Sequence, residues 1–226
     1  MKIIITGASS GLGKEIAFAM REHTIIDWSL ETGVDVSNQL SVQLAASLFV
    51  DAYEQADILI NCAGINILAS IPTLQQREWN DVMNTNARGA FFTVQALCEH
   101  MKGGTILNVI SNASHMPMTH SLAYCASKAA LEMMTRQMAH ELYPSHKIVT
   151  FGISPNRLEG TAMSKDVDKQ VARIRGWDVE KVWHYQQTKM PMGETEPAAI
   201  AELVAFLLQE PYRHAYLNGC ILELGK

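Results

Sequence analysis

The chain has 226 residues, 48% hydrophobic and 18% charged, with a formal net charge of −5. That length and apolar content suit one α/β domain with a substantial core and exclude a disordered or fibrous chain. The acidic balance and the lack of a dense basic run speak against nucleic acid or an anionic membrane as a partner. No apolar stretch reaches the ~20 residues a membrane helix needs.

The first predicted strand, Ile3–Thr6, follows Lys2 without a signal-peptide cleavage pattern and runs into Gly7-Ala8-Ser9-Ser10-Gly11-Leu12-Gly13. A helix is expected from Gly13 to Glu22. Glycines let the backbone turn tightly and approach a ligand, and a helix N-terminus presents free N–H groups and a positive dipole end. A pyrophosphate suits that cradle, although the spacing is GxxxGxG rather than GxGxxG. The second strand, Thr24–Asp27, ends in Asp27, twenty residues after Gly7. A carboxylate there can accept from ribose hydroxyls and would repel a 2′-phosphate, which favours NAD over NADP. Asp35 is a second candidate, beside an adenine.

Further strands are predicted at Asp57–Asn61, Thr105–Ser111, Lys147–Ile153 and Cys220–Leu224, and helices at Ser37–Tyr53, Gln75–Met101, Ala123–Tyr143 and Pro197–Leu208. Strands alternating with helices imply βαβ units and a parallel sheet in one domain. The span 155–196 reads as a less regular lid over a substrate site, rich in methionine and aromatic residues. Trp177, Trp183 and the methionines either line an apolar pocket or pack the lid. The cysteines Cys62, Cys98, Cys125 and Cys220 have neither disulfide nor metal-ligand spacing, which suits a reducing cytoplasm. His115 and His120 match no metal motif.

Tyr124 and Lys128 stand four apart, on one face of a predicted helix. A partly desolvated ammonium beside a phenol stabilises the phenolate, which makes tyrosine a usable general acid or base. Ser111 ends a strand thirteen residues earlier, where a hydroxyl can face a substrate oxygen. Asn86 is a polar residue on the apolar stripe Trp79, Val82, Met83, Ala90, Val94 and needs a buried partner.

These residues together resemble the short-chain dehydrogenase/reductase family: the glycine turn after Thr6, Asn61-Cys62-Ala63-Gly64, Asn86-Ala87-Arg88-Gly89, Ser111, and Tyr124-Cys125-Ala126-Ser127-Lys128 occur in the family's order. The resemblance implies a Rossmann-type, doubly wound parallel sheet, a three-layer α/β/α sandwich. It implies a tetrad of Asn86, Ser111, Tyr124 and Lys128, with Tyr124 moving the proton and Ser111 polarising the substrate oxygen. Lys128 would hold the nicotinamide ribose and depress the tyrosine pKa, and Asn86 would keep a relay water. It further implies cofactor contacts at Gly7, Ser9, Ser10, Gly11, Leu12, Gly13, Val36, Asn61, Ala63, Gly64, Pro155 and Thr161, and a homodimer or homotetramer. The substrate expected is small and partly apolar. Departures are Pro155-Asn156 for the usual Pro-Gly, Ile110 before Ser111, and Leu224-Gly225-Lys226 at the end. Two rivals are a non-catalytic NAD(H)-binding regulator and a serine hydrolase built on the G-x-S-x-G pattern of Gly7–Gly11.

Overall fold

A computed structural model describes residues 1–188, 190, 192–209 and 215–225; Lys189 and Pro191 of the expected lid, and Lys226, lie outside these. Six parallel strands, β1 (Lys2–Thr6), β2 (Thr24–Trp28), β3 (Ile58–Asn61), β4 (Thr105–Val109), β5 (Val149–Pro155) and β6 (Ile221–Leu224), lie in the order β2-β1-β3-β4-β5-β6. The chain leaves β1 toward one edge and returns to β3 on its other side. The crevice at the C-terminal ends of β1 and β3 is therefore the topological switch point, where such sheets bind ligands. Thr6 pairs with Asn61 there, so the glycine turn and the Asn61–Gly64 segment emerge together.

The strands read as continuous apolar runs because both faces of the sheet are covered. Ile3, Ile5, Ile58, Ile60 and Leu107 pack on one face with Leu12, Ile16, Ile200 and Val204. These last four belong to α1 (Gly11–Ala19) and α8 (Pro197–Leu208). Ile4, Leu59 and Ile106 point the other way, onto α2 (Gln39–Tyr53) and α4 (Gly89–Leu97).

Several predicted bounds shift. The first helix begins at Gly11, not Gly13, and ends at Ala19. The single helix expected over 75–101 is divided into α3 (Gln76–Met83), a π-helical turn at Asn84–Arg88, α4, and a 3-10 turn at Cys98–His100. α5 (Leu122–His146) is closed by Lys147 in the left-handed region at φ 58°, so β5 starts two residues later than predicted. The span 155–196 is not irregular: it carries α6 (Ala162–Arg175) and α7 (Val179–Thr188). Met163, Val167, Val171 and Ile174 give α6 helical spacing amid charges, and a left-handed Gly176 ends it.

Candidate active site

The glycine turn is shaped by close approaches. Gly7 sits at φ +71°, and a Cβ on it would lie 3.1 Å from the Ala63 Cα. A Cβ on Gly13 would fall 2.3 Å from the Gly7 carbonyl oxygen, so only glycine lets α1 start so close to the turn. Ser10 precedes α1 without capping it by its side chain, which leaves the first-turn amides open to a ligand. Leu12 is buried and anchors this end, while Ser9 is half-buried. Across the crevice Thr161 caps α6, accepting the Ser164 N–H at 3.1 Å, and its methyl would stand 3.9 Å from a Cβ on Gly11. Two helix N-termini thus converge on one crevice. That donor set and the room left by the glycines fit a dinucleotide pyrophosphate.

The neighbouring candidates divide into two groups. Thr6 Oγ1 accepts the N–H groups of Cys62 and Ala63, each at 3.0 Å, which fixes the Asn61–Gly64 turn against β1. Asp27 accepts the Ala8 N–H at 3.2 Å and the Ser29 hydroxyl at 3.0 Å, so its carboxylate braces the glycine turn directly. Asp35, by contrast, is engaged locally by the N–H and hydroxyl of Ser37, at 2.9 and 2.7 Å. Val36 is buried against Gly89, and Pro155 is buried at the end of β5.

The four residues of the expected tetrad converge. Tyr124 and Lys128 are buried one turn apart on α5, with the Lys128 Nζ 5.8 Å from the centre of the tyrosine ring. Lys128 donates to the Val109 carbonyl at 2.8 Å, which fixes it to the end of β4. Ser111, just beyond β4, lies close enough to the Tyr124 phenol to lower its pKa, and its Oγ accepts the Ala113 N–H at 3.2 Å. Asn86, carried inward by the π-helical turn, exchanges two hydrogen bonds with the Ile65 backbone and donates to Ser127 at 3.0 Å. Gly64 closes the group: a Cβ there would lie 3.4 Å from Asn86 Oδ1 and 3.7 Å from Lys128 Nζ.

Electrostatics depart from one expectation. Burial pushes the Tyr124 phenol above its ordinary value, against a smaller lowering by Ser111. Lys128 is itself pushed down to about 8 by desolvation. Lys128 therefore does not depress the tyrosine pKa here, because the burial both groups share disfavours both charges. Cys62, half-buried near Lys128, is raised to about 11 by desolvation, so its thiol stays protonated at neutral pH.

Three supports escaped the sequence reading. A buried relay crosses the sheet: Thr93 donates to Asn61 (2.7 Å), Asn61 to Asn108 (2.9 Å), and Asn108 to Thr135 (2.9 Å), tying α4, β3, β4 and α5 together. Gln170 of α6 accepts the Leu68 N–H at 2.7 Å and donates to the Asn66 carbonyl at 3.1 Å. Arg157 pairs with Asp168 and Glu194 at 2.7 and 2.6 Å, joining both ends of the lid. Polar residues on apolar stripes, such as Thr93 and Thr135, were the available signal for the first. Among the described residues neither Ser9 nor Ser10 hydrogen-bonds a histidine, so the rival nucleophile elbow lacks a base.

The short chain dehydrogenase family pattern matches residues 28–172. The chain is 29% identical to the NAD-dependent glycerol dehydrogenase of Listeria innocua, covering 92% of this chain and 86% of that one. It is 30% identical to the 5-keto-D-gluconate 5-reductase of Escherichia coli K12, covering 72% and 73%. A solved short chain dehydrogenase family protein from Francisella tularensis shares the fold at a TM-score of 0.87 and 20% identity, covering 99% of this chain and 97% of that one. With these matches and a six-stranded Rossmann-type sheet, the chain belongs to the short-chain dehydrogenase family of oxidoreductases.

Proposed function

We infer that the protein moves a hydride between a nicotinamide cofactor and the carbonyl or alcohol carbon of a small, partly apolar substrate, with Tyr124 as general acid or base. The observation that carries this reading is the buried Tyr124 phenol, beside Ser111 and one turn from Lys128, next to a crevice where Gly7 and Gly13 leave no room for a side chain. The bound cofactor supplies the hydride chemistry. Gly7, Ser9, Ser10, Gly11, Leu12 and Gly13 form its phosphate cradle, with Thr161 opposite. Ser111 orients the substrate oxygen, and Tyr124 gives it a proton during reduction or takes one during oxidation. Lys128 holds the ribose side of the site and Asn86 fixes the wall at Ile65.

Asp27 supports NAD over NADP: its negative charge braces the glycine turn and would repel a 2′-phosphate. The span 155–196 serves as the substrate lid, held shut at Gln170 and joined at its base by Arg157. A cytoplasmic homodimer or homotetramer through α4 and α5 fits the exposed Phe91 and Met133 on those helices. The test is calorimetric titration with NADH and NADPH, followed by a carbonyl and alcohol panel read by NADH absorbance. Tighter NADH binding that weakens in Asp27→Ala supports the whole reading. NADPH preference overturns the role of Asp27, and binding of neither overturns the function.

A further inference from the structure

The lid and the crevice meet in a shallow recess open to solvent, lined by Leu68, Thr119, His120, Val171, Ile174 and Arg175. Its walls are apolar on the α6 side, and its only titratable groups are basic, in a chain whose net charge is −5. Arg175 is pinned: its guanidinium lies 4.7 Å from the Trp177 ring centre and 4.7 Å from that of Tyr185, and it donates to the Tyr185 hydroxyl at 3.4 Å. Among the described residues it has no carboxylate partner, as is also the case for Arg21, Arg88 and Arg173, but it alone of these lines the recess. A guanidinium already restrained by two aromatic rings loses less entropy when its remaining N–H groups take an anion.

His120 faces the same space from a strained backbone, at φ 64°. Strain of this kind persists where surrounding contacts over-determine a position. Here the His120 carbonyl accepts the Ala69 N–H at 2.8 Å, and Ala69 bridges Ser121. The recess also belongs to the reaction's neighbourhood. His120 stands four residues before Tyr124, and Leu68 stands four after Gly64, which borders Lys128 and Asn86. Four extended residues reach at most about 14 Å.

We propose that this recess binds the oxyanion tail of the substrate, a carboxylate or phosphate, with Arg175 and His120 as donors and Leu68, Val171 and Ile174 against the adjoining carbons. The substrate class is then a hydroxy or keto compound that carries an anionic group some carbons from the reacting centre. This rests on the hydride-transfer reading for its position relative to Tyr124, but the anion site itself does not.

The test compares straight-chain keto acids of increasing length, each beside its amide, in the wild type, Arg175→Met and Lys181→Met. Lys181 also stacks on Trp177 but does not line the recess, so it controls for local charge. The wild type should prefer acid over amide by about ten-fold in kcat/KM at one length, the scale of a charge-assisted hydrogen bond. Arg175→Met should bring that ratio near one, and Lys181→Met should keep it. In parallel, inorganic phosphate is titrated calorimetrically into the wild type and Arg175→Met, which also distinguishes phosphate from carboxylate as the preferred anion. Acids no better than amides at every length, with phosphate binding unaltered in Arg175→Met, would overturn the subsite. Phosphate binding that is lost in Arg175→Met, in a protein that turns over no carbonyl, would keep the anion site and sink the hydride-transfer reading instead.

Discussion

Asn86 holds Ile65 from both sides: its Oδ1 accepts the Ile65 N–H at 2.8 Å while its Nδ2 donates to the Ile65 carbonyl at 2.9 Å. The other Nδ2 hydrogen goes to Ser127, so both amide hydrogens are engaged. A relay water at Asn86 is left with the second Oδ1 lone pair or the backbone carbonyl. The side chain works first as a clamp on the segment that follows Gly64, and the π-helical turn is what swings it there.

Asn86→Ala therefore strands two backbone groups of Ile65. A loss of about 2 kcal/mol is expected, read as a melting point lower by about 4–8 °C. Turnover should fall at least about ten-fold as the wall beside Lys128 loosens. An unchanged melting point in calorimetry would show that the clamp carries no weight.

Gly13→Ala and Gly33→Ala separate two reasons for glycine. At Gly13 a methyl meets the Gly7 carbonyl oxygen at 2.3 Å, so the turn and α1 must move apart. NADH affinity should drop by ten-fold or more, measured by titration. At Gly33 nothing lies within 4 Å and only φ +83° is strained. That change should cost about 1–2 kcal/mol and leave NADH affinity within error.

Lys128→Met should stabilise the protein at neutral pH while abolishing turnover. The lysine's ordinary value of 10.5 falls to about 8 in the fold, so the buried ammonium costs about 3 kcal/mol below pH 8. Between pH 8 and 10.5 the unfolded chain binds more protons than the folded one, so stability rises with pH across that window. Methionine removes this cost and loses one hydrogen bond to Val109, worth about 1 kcal/mol. Denaturant unfolding should show the variant about 2 kcal/mol more stable at pH 7 and no more stable than the wild type above pH 10.5. A variant less stable at pH 7 would mean the lysine is not buried as a cation.

All six strands were legible in the sequence because β-branched runs between glycine turns leave few alternatives. The clustering of Tyr124, Lys128 and Ser111 was legible because Tyr124 and Lys128 share a helix face and Ser111 follows a strand. What escaped depends on three-dimensional closure. Gln170 meets Leu68 and Asn66 across more than a hundred residues of chain, and Arg157 reaches Glu194 across the whole lid. No local pattern encodes such pairs. The π-helical turn was invisible for another reason: an extra residue in one turn leaves the apolar stripe of 75–101 nearly continuous. The sign of the tyrosine shift was missed because spacing reveals that Lys128 is near but not that both groups are buried.

That shift determines how the two directions of the reaction depend on pH. Burial raises the Tyr124 phenol above its ordinary value near 10, so at neutral pH it is protonated and ready to donate. Carbonyl reduction should be flat through neutral pH under single-turnover conditions and fall only where the phenol titrates. Alcohol oxidation needs the phenolate, so its rate should climb about ten-fold per pH unit from neutrality. Tyr124→Phe should remove the slope and lower both rates by about 10²–10⁴ while NADH affinity stays within a few-fold. An oxidation rate that peaks near neutrality in the wild type would mean that a group other than Tyr124 takes the proton.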